Sequence, residues 1–400
     1  MALLRENAGH DITVAPGNAG IAQDVAVIAL DTTSGDVVAG FAADNDIDLV
    51  IIGPEAPLMA GVADKLHQRG IPAFGPGKAA ARLEGSKTFA KRVMTEAGVP
   101  TGRAELASDL EGAERLLDTY GAPYVVKADG LAAGKGVLVT EDRDAALAHA
   151  RYWLGHGSVL IEEFLAGEEV SLFLLSDGQD VLPLSPAQDY KRLRDGDLGP
   201  NTGGMGAYSP LPWLPDGFVD EVIDTIALPT IRQLAREGTP FVGLLYCGLI
   251  LTRSGIRVIE FNARFGDPET QVVLPRLATP LSELLLAAAT GGLGKLPYPR
   301  FTDEVAVTVV LASEGYPDAA EVGRPISGLA EAAAIDGVTL AYAATALSDG
   351  RFVATGGRVL SVVATGSDFT AARDRAYRAL GLIGLEGGHY RTDIAARVAI

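Results

Sequence analysis

From Lys127 to Val137 the chain reads Lys-Ala-Asp-Gly-Leu-Ala-Ala-Gly-Lys-Gly-Val, a glycine-rich turn between two apolar runs, Tyr124 to Ala128 and Val137 to Thr140. Glycines let a backbone fold closely over a ligand, and amides with ammonium groups near both ends favour phosphate. The turn is not a Walker A loop. Gly130 and Gly134 enclose three residues rather than four, Gly136 follows Lys135, and no helix pattern comes next. An ordinary glycine hairpin remains the alternative for this segment taken alone.

Around this turn the pattern marks a small α/β unit. Helix Asp109 to Tyr120, strand Tyr124 to Ala128, strand Val137 to Thr140, helix Asp142 to Leu154 and strand Val159 to Glu163 follow one another, as in a lid domain. Ahead of it, short apolar runs (Ile12 to Ala15, Val25 to Leu30, Leu49 to Ile52, Ala73 to Phe74) alternate with helical stretches such as Ala60 to Arg69, the rhythm of a parallel α/β layer. Ser86 caps a helix that Gly98 closes. Beyond the lid lie strands Val170 to Leu175 and Val181 to Leu184. A long Gly-, Pro-, Asn- and Asp-rich loop then runs from Gln188 to Pro210. Loops of that length in compact proteins are functional or disordered, and Lys191, Arg192 and Arg194 with Asn201 and Thr202 favour an anion-contacting role. Residues 219 to 237 read as a helix interrupted at Pro229, followed by strands Gly243 to Leu251 and Arg257 to Phe261. In the remainder, Val305, Val307, Val309 and Leu311 alternate as in a sheet with one buried face, and strand Val359 to Ala364 and helix Phe369 to Leu380 complete an α+β unit.

Glu260 and Asn262 stand two apart on a strand, so both project from one face while Phe261 goes to the other. A carboxylate and an amide oxygen, completed by phosphate oxygens and water, suit Mg²⁺; a polar strand end is the alternative. Arg264 and Asp267 follow at once, placing a fixed cation where charge develops in acyl or phosphoryl transfer. The edge Glu162-Glu163-Phe164-Leu165, with Glu169 just beyond, suits an adenine and ribose hydroxyls. Lys87 falls in the first turn of the helix capped by Ser86, a natural anion site.

In this order, across two α/β units, the features resemble the ATP-grasp fold. The runs Ala15-Pro-Gly-Asn-Ala-Gly20, Gly53-Pro-Glu-Ala-Pro57, Leu83-Glu-Gly-Ser-Lys87, Lys127 to Val137, Gly199-Pro-Asn-Thr-Gly-Gly-Met-Gly-Ala-Tyr-Ser-Pro210 and Ile259-Glu-Phe-Asn-Ala-Arg-Phe-Gly-Asp-Pro-Glu-Thr-Gln271 resemble the phosphoribosylamine-glycine ligase family of purine synthesis, over nearly the whole chain. The resemblance implies an α/β and α+β multidomain fold. Residues 1–84 would form an N-terminal α/β layer, 85–104 with 172–303 the ATP-grasp core, 105–171 its lid, and 304–400 a C-terminal α+β domain. It also implies ATP and Mg²⁺ or Mn²⁺ as cofactors, with glycine and 5-phosphoribosylamine as substrates. Lys87, Lys127, Gly130, Gly134, Lys135 and Gly136 would hold phosphates, Glu162, Glu163, Phe164, Leu165 and Glu169 the nucleoside, and Glu260 and Asn262 the metal. Arg264, Lys127 and Asp267 would serve catalysis, and Asn18, Gly53, Pro54, Glu55, Asp189, Lys191, Gly203, Gly204, Met205 and Gly206 would contact the other substrates.

The family opens with a strand and a glycine-rich loop that this sequence lacks, which predicts an N-terminal layer without its first strand, and a mis-set start codon or trimmed chain rather than a natural deletion. The connection Gly155 to Ser158 is also shorter than in the family, which touches the lid rather than the chemistry. The alternatives are another ATP-grasp ligase, or a nucleotide-binding chain inactive through loss of that loop. A formal charge of -18 repels polyanions, so no nucleic-acid partner is expected. The single cysteine, Cys247, fits a reducing compartment, and Met1 to His10 lacks a signal-peptide core. A cytoplasmic monomer free of membranes is the resulting expectation.

Overall fold

The computed structural model describes residues 1–6, 8–130 and 136–399, and among these the strands group into separate small sheets and three larger ones. At the N-terminus, β1 (Thr13–Val14) pairs in parallel with β2 (Ala26–Val27), and β3 (Val50–Ile51) in parallel with β4 (Ala73–Phe74). Among the described residues no strand joins the two pairs. Helices α1 (Gly35–Asp44), α2 (Glu55–Ala60), α3 (Val62–Gln68) and α4 (Lys78–Gly85) cover this layer. The helical stretch expected over Ala60 to Arg69 is α3, and Gly61, at φ +85°, closes α2 ahead of it and opens it. Helix α5 (Lys87–Ala97) follows, its start fixed by the Ser86 hydroxyl accepting from Phe89 N and its end by Gly98 at φ +68°.

The lid sheet runs in the order β5-β8-β6-β7, from β5 (Ala104–Ala107), β6 (Tyr124–Ala128), β7 (Val137–Thr140) and β8 (Val159–Glu162), with α6 (Leu110–Tyr120) and α7 (Arg143–Leu154) packed on it. Asp109 and Asp142 cap these two helices with their carboxylates.

The central sheet orders as β10-β9-β15-β16, from β9 (Glu168–Asp177), β10 (Val181–Pro183), the long β15 (Val242–Thr252) and β16 (Gly255–Asn262). Its interior is Leu172, Leu174, Leu175, Leu245, Leu249 and the inert Cys247. Between β10 and β15 the expected loop from Gln188 to Pro210 is largely strand: β11 (Gln188–Asp189), the hairpin β12 (Arg192–Arg194) and β13 (Leu198–Asn201), and β14 (Gly206–Ser209). The chain also stays helical through Pro229. A π turn, Ile223–Ala227, links α8 (Phe218–Val222) to α9 (Leu228–Arg236) and takes up the missing proline N–H, where an interruption was expected.

After α10 (Thr270–Val273) and α11 (Leu281–Thr290), β17 (Val305–Ala312) enters a third sheet of order β11-β14-β17-β21-β18, with α12 (Leu329–Ala333), β18 (Val338–Tyr342), the hairpin β19 (Thr345–Ser348) and β20 (Arg351–Ala354), β21 (Arg358–Gly366) and α13 (Phe369–Leu380). All of β17 is buried, not one face of it. Val307, Val309 and Leu311 share a core with Phe369, Ala372 and Ala376 of α13, whereas Ala306 faces a second core with Val272 and Val273 of α10. Strands β11 and β14 therefore tie the segment after β10 to the C-terminal sheet. No helix among the described residues is long and apolar enough to cross a membrane.

Candidate active site

Strand β6 carries Lys127 and β8 carries Glu162, and both side chains are buried. Lys127 Nζ lies 2.9 Å from Glu162 Oε2 and donates to Ile259 O at 3.3 Å; Lys91 Nζ reaches the same carboxylate at 3.5 Å. Glu162, expected at the nucleoside, is thus also the carboxylate that gathers two lysines. Glu163 is likewise held by Arg103, Oε2 to Nε at 2.8 Å. Of that edge, Phe164 is exposed and Leu165 half-buried. At the glycine turn, Lys87 Nζ donates to Gly130 O at 3.2 Å, while Ser86 Oγ and Thr88 N both donate to Asp129 Oδ1 at 3.2 Å. The turn therefore starts at the N-terminus of α5, with Gly130 at φ +123° and Gly136 O accepting from Ala128 N at 2.7 Å. Burial lowers the pKa of Lys87, with Lys127 adding to the effect and Glu260 opposing it. Gly134 and Lys135 lie outside the described residues.

On the far side of the cleft, β15 and β16 pair Gly248 with Glu260 and Tyr246 with Asn262. Phe261 is buried, and Glu260 and Asn262 are half-buried on the opposite face, as their spacing requires. A Cβ at residue 248 would stand 3.1 Å from Glu260 Cγ, so glycine there leaves the carboxylate its space. Burial works to raise the Glu260 pKa, but Lys191, Lys127, Lys87 and Arg264 outweigh it and hold the group below its ordinary value. An ionised carboxylate beside an amide oxygen is a hard-oxygen pair that fits a divalent metal whose other ligands are phosphate oxygens and water. Lys191 Nζ sits 3.3 Å from Glu169 and 3.9 Å from Glu260. Burial pushes up the carboxyl of Asp189, on the adjoining β11, while Lys191 opposes the shift. Of the three basic residues expected to contact anions, only Lys191 belongs to this cluster. Arg192 donates to Gly199 O within its own hairpin, and Arg194 is exposed.

Arg264, just past β16, reaches Glu55 at 3.2 Å and the buried Glu84 at 3.3 Å, and Glu84 also accepts from Ala263 N at 2.8 Å. Those carboxylates raise the Arg264 pKa against the effect of burial. The arginine thereby joins the N-terminal layer to the end of β16. Gly53 and Pro54 are exposed at the end of β3, ahead of Glu55. Asn18 is occupied elsewhere: its amide donates to Tyr342 O and Ala343 O, and its oxygen accepts from Ile21 N. Of the glycine series, Gly203 is exposed and Gly204 buried against Pro268. Met205 is buried and Gly206 lies in β14, where a Cβ would strike Thr308 O at 2.6 Å, so glycine is required there by packing. Asp267 faces Arg358 at 3.2 Å rather than Arg264. Lys91, Glu84, Tyr316, Arg358 and the buried trio Ser171, Tyr246 and Glu269, in which Glu269 accepts from Tyr246 Oη at 2.5 Å and Ser171 Oγ at 3.0 Å, were not singled out from the sequence. Glu84 and Glu269 had a local signal, standing within the Leu83 to Lys87 and Ile259 to Gln271 runs.

A small lid sheet over a central antiparallel sheet, with lysines on one side of the cleft and Glu260 and Asn262 on the other, defines an ATP-grasp protein, one that uses ATP with a divalent metal. Three family models cover most of the chain: the phosphoribosylglycinamide synthetase N domain over residues 1–84, its ATP-grasp (A) domain over 85–270 and its C domain over 306–397. The chain belongs to the phosphoribosylglycinamide synthetase family. A phosphoribosylamine–glycine ligase of Leifsonia xyli subsp. xyli is 71% identical over 399 residues, covering 99% of this chain and 96% of the relative. That of Streptomyces coelicolor is 57% identical, covering 96% and 92%. The crystal structure of the Thermotoga maritima ligase matches with a TM-score of 0.84 at 34% identity, covering 98% of this chain and 96% of that one.

Proposed function

We propose that this chain joins glycine to 5-phosphoribosylamine at the expense of ATP, giving glycinamide ribonucleotide, ADP and phosphate in purine synthesis. A glycine carboxylate oxygen attacks the γ-phosphorus and ADP leaves. The amine nitrogen then attacks the acyl carbon, the C–O bond to phosphate breaks, and the amine proton passes to solvent. Lys87 and Lys127, with Lys135, would bind phosphate oxygens; Glu162 to Leu165 and Glu169 would border the nucleoside; Glu260 and Asn262 would hold Mg²⁺ or Mn²⁺. The metal, when bound, neutralises charge on the phosphates. Arg264 steadies charge on the acyl phosphate, beside Gly203 and Gly204. Gly53 to Glu55 face the phosphoribosyl side, and Asp189 and Lys191 the small acid. Positioning and electrostatics carry such a transfer, which asks little covalent chemistry of the protein.

The observation that carries this reading is the convergence of Glu260, Asn262, Lys191, Lys127 and Arg264 at the end of β16. For the domains we assign 1–84 to the amine side, 85–104 with 172–303 to the core, 105–171 to the lid and 304–400 to the C-terminal unit. We place the protein in the cytoplasm as a monomer. Omitting one substrate at a time from an ADP-release assay tests the activity: turnover needing both glycine and phosphoribosylamine is expected, and turnover with a different acid contradicts it.

A further inference from the structure

The segment between β11 and β14 is held at two places by the C-terminal unit. At its outer end, the buried Arg391 donates to Arg192 O at 3.1 Å and pairs with Asp197 at 2.8 Å, while His389 Nε2 lies 2.8 Å from Leu193 O. At its other end, Gly203 is gripped on both backbone groups. Its N–H donates to Tyr316 Oη at 2.9 Å, and its carbonyl accepts from Arg358 Nη1 at 2.7 Å. The same nitrogen donates to Asp267 O at 2.9 Å and Asp267 Oδ1 at 3.2 Å, and lies 3.5 Å from Gly204 O. One guanidinium therefore joins the glycine turn to the turn that follows the metal-binding strand. Tyr316 is fixed in turn by Gly357, where a Cβ would stand 2.2 Å from its ring.

Gly203 is exposed beside Asp267, in the turn after β16, and hydrogen bonds to a charged donor are stronger and more directional than neutral ones. We propose that Arg358 and Tyr316 are positioning residues for the second half-reaction. By fixing Gly203, Gly204 and Asp267 they shape the acyl-phosphate side of the cleft, so that the intermediate passes to the amine rather than to water. Among the described residues their hydrogen bonds reach neither Lys87 nor Lys127, so ATP binding is expected to depend on them little. This proposal rests on the ligase reading above.

The test uses the full chain with Arg358→Met, Arg358→Lys and Tyr316→Phe, the last removing one hydroxyl and keeping the ring against Gly357. Steady-state constants for each substrate, the ratio of ADP to amide product and the thermal midpoint are measured together. Losing a charge-assisted hydrogen bond is worth roughly 10- to 100-fold, so kcat/KM for the amine falls by about that factor in Arg358→Met. ADP formation then exceeds product several-fold, while KM for ATP moves less than about twofold. Arg358→Lys retains charge but not the span between the two turns, and falls between wild type and Arg358→Met. Tyr316→Phe shows a smaller rise in the ADP-to-product ratio at an unchanged thermal midpoint. A ratio that stays at wild type in both Arg358→Met and Tyr316→Phe overturns the proposal, as does a KM for ATP that rises in step with the other constants. A wild-type chain inactive with glycine and phosphoribosylamine defeats the ligase reading itself.

Discussion

The N-terminal layer and the central sheet draw on the same apolar residue types, yet they are built to different depths. In the layer, paired strands are two residues long, Ile51 of β3 is 39% exposed and Val37 of α1 is 44% exposed. In the central sheet, β9 and β15 run ten and eleven residues side by side, with Leu172, Leu174, Leu175 and Leu245 fully buried. Strand length and burial on both faces hold the central sheet, which carries Glu260 and Asn262. The N-terminal layer meets the rest through side chains that cross to it, Arg264 to Glu55 and Glu84 and Asn18 to the backbone of 342–343, and through Phe74 of β4, which shares a core with Phe173 and Leu244. The metal and phosphate groups proposed above thus fall on the sturdier region.

The largest effect expected from this contrast is on chemistry. Glu260→Gln keeps the shape of the cradle and removes its charge, so metal-dependent ADP formation falls by about 100- to 1000-fold, with the thermal midpoint held. An unaltered rate at limiting metal breaks the assignment.

Next come two truncations that compare the regions directly. Leu172→Ala empties a fully buried place in β9 and costs roughly 2–5 kcal/mol. Ile51→Ala on the partly exposed β3 costs under about 1 kcal/mol. Urea titration of both checks the contrast, and equal losses remove it.

How far the sequence discloses these regions follows from how local each cause is. Helix α5 is legible because Ser86 and Gly98 bracket it with their own side-chain and backbone chemistry. Glu260 and Asn262 are legible because a period of two needs no partner to interpret. The hairpin β12–β13 and strand β14 are not, since their Gly, Pro and Asn residues read as loop until Arg391 and β17, far along the chain, hold them. The second buried face of β17 is hidden in small residues such as Ala306, which look neutral until α10 covers them. The two lysines around Glu162 are hidden for a similar reason: a carboxylate at a strand end does not name its partners, and only the fold brings Lys91 and Lys127 to it. Tyr316 and Arg358 belong to no local pattern at all.

A smaller effect sharpens the comparison at the surface of the core. Hydrogen bonds from Arg92 and Gln233 hold the Glu237 carboxyl at about 2, below its ordinary 4.5. A depressed acid stabilises the fold above its unfolded value, and that contribution is lost as pH falls from about 4.5 towards 2. Because both partners are partly exposed, it amounts to less than about 1 kcal/mol. Glu237→Gln should flatten the acid limb of the stability curve by that much, and an unchanged limb would remove the pair from the account.

The central claim is an acyl phosphate formed from the acid substrate beside Glu260 and Asn262. It is tested most directly by running the reaction with glycine labelled with ¹⁸O in its carboxylate and weighing the released phosphate. The account predicts one labelled oxygen per phosphate, carried over when the C–O bond breaks. Phosphate free of label, formed alongside amide product, would contradict it.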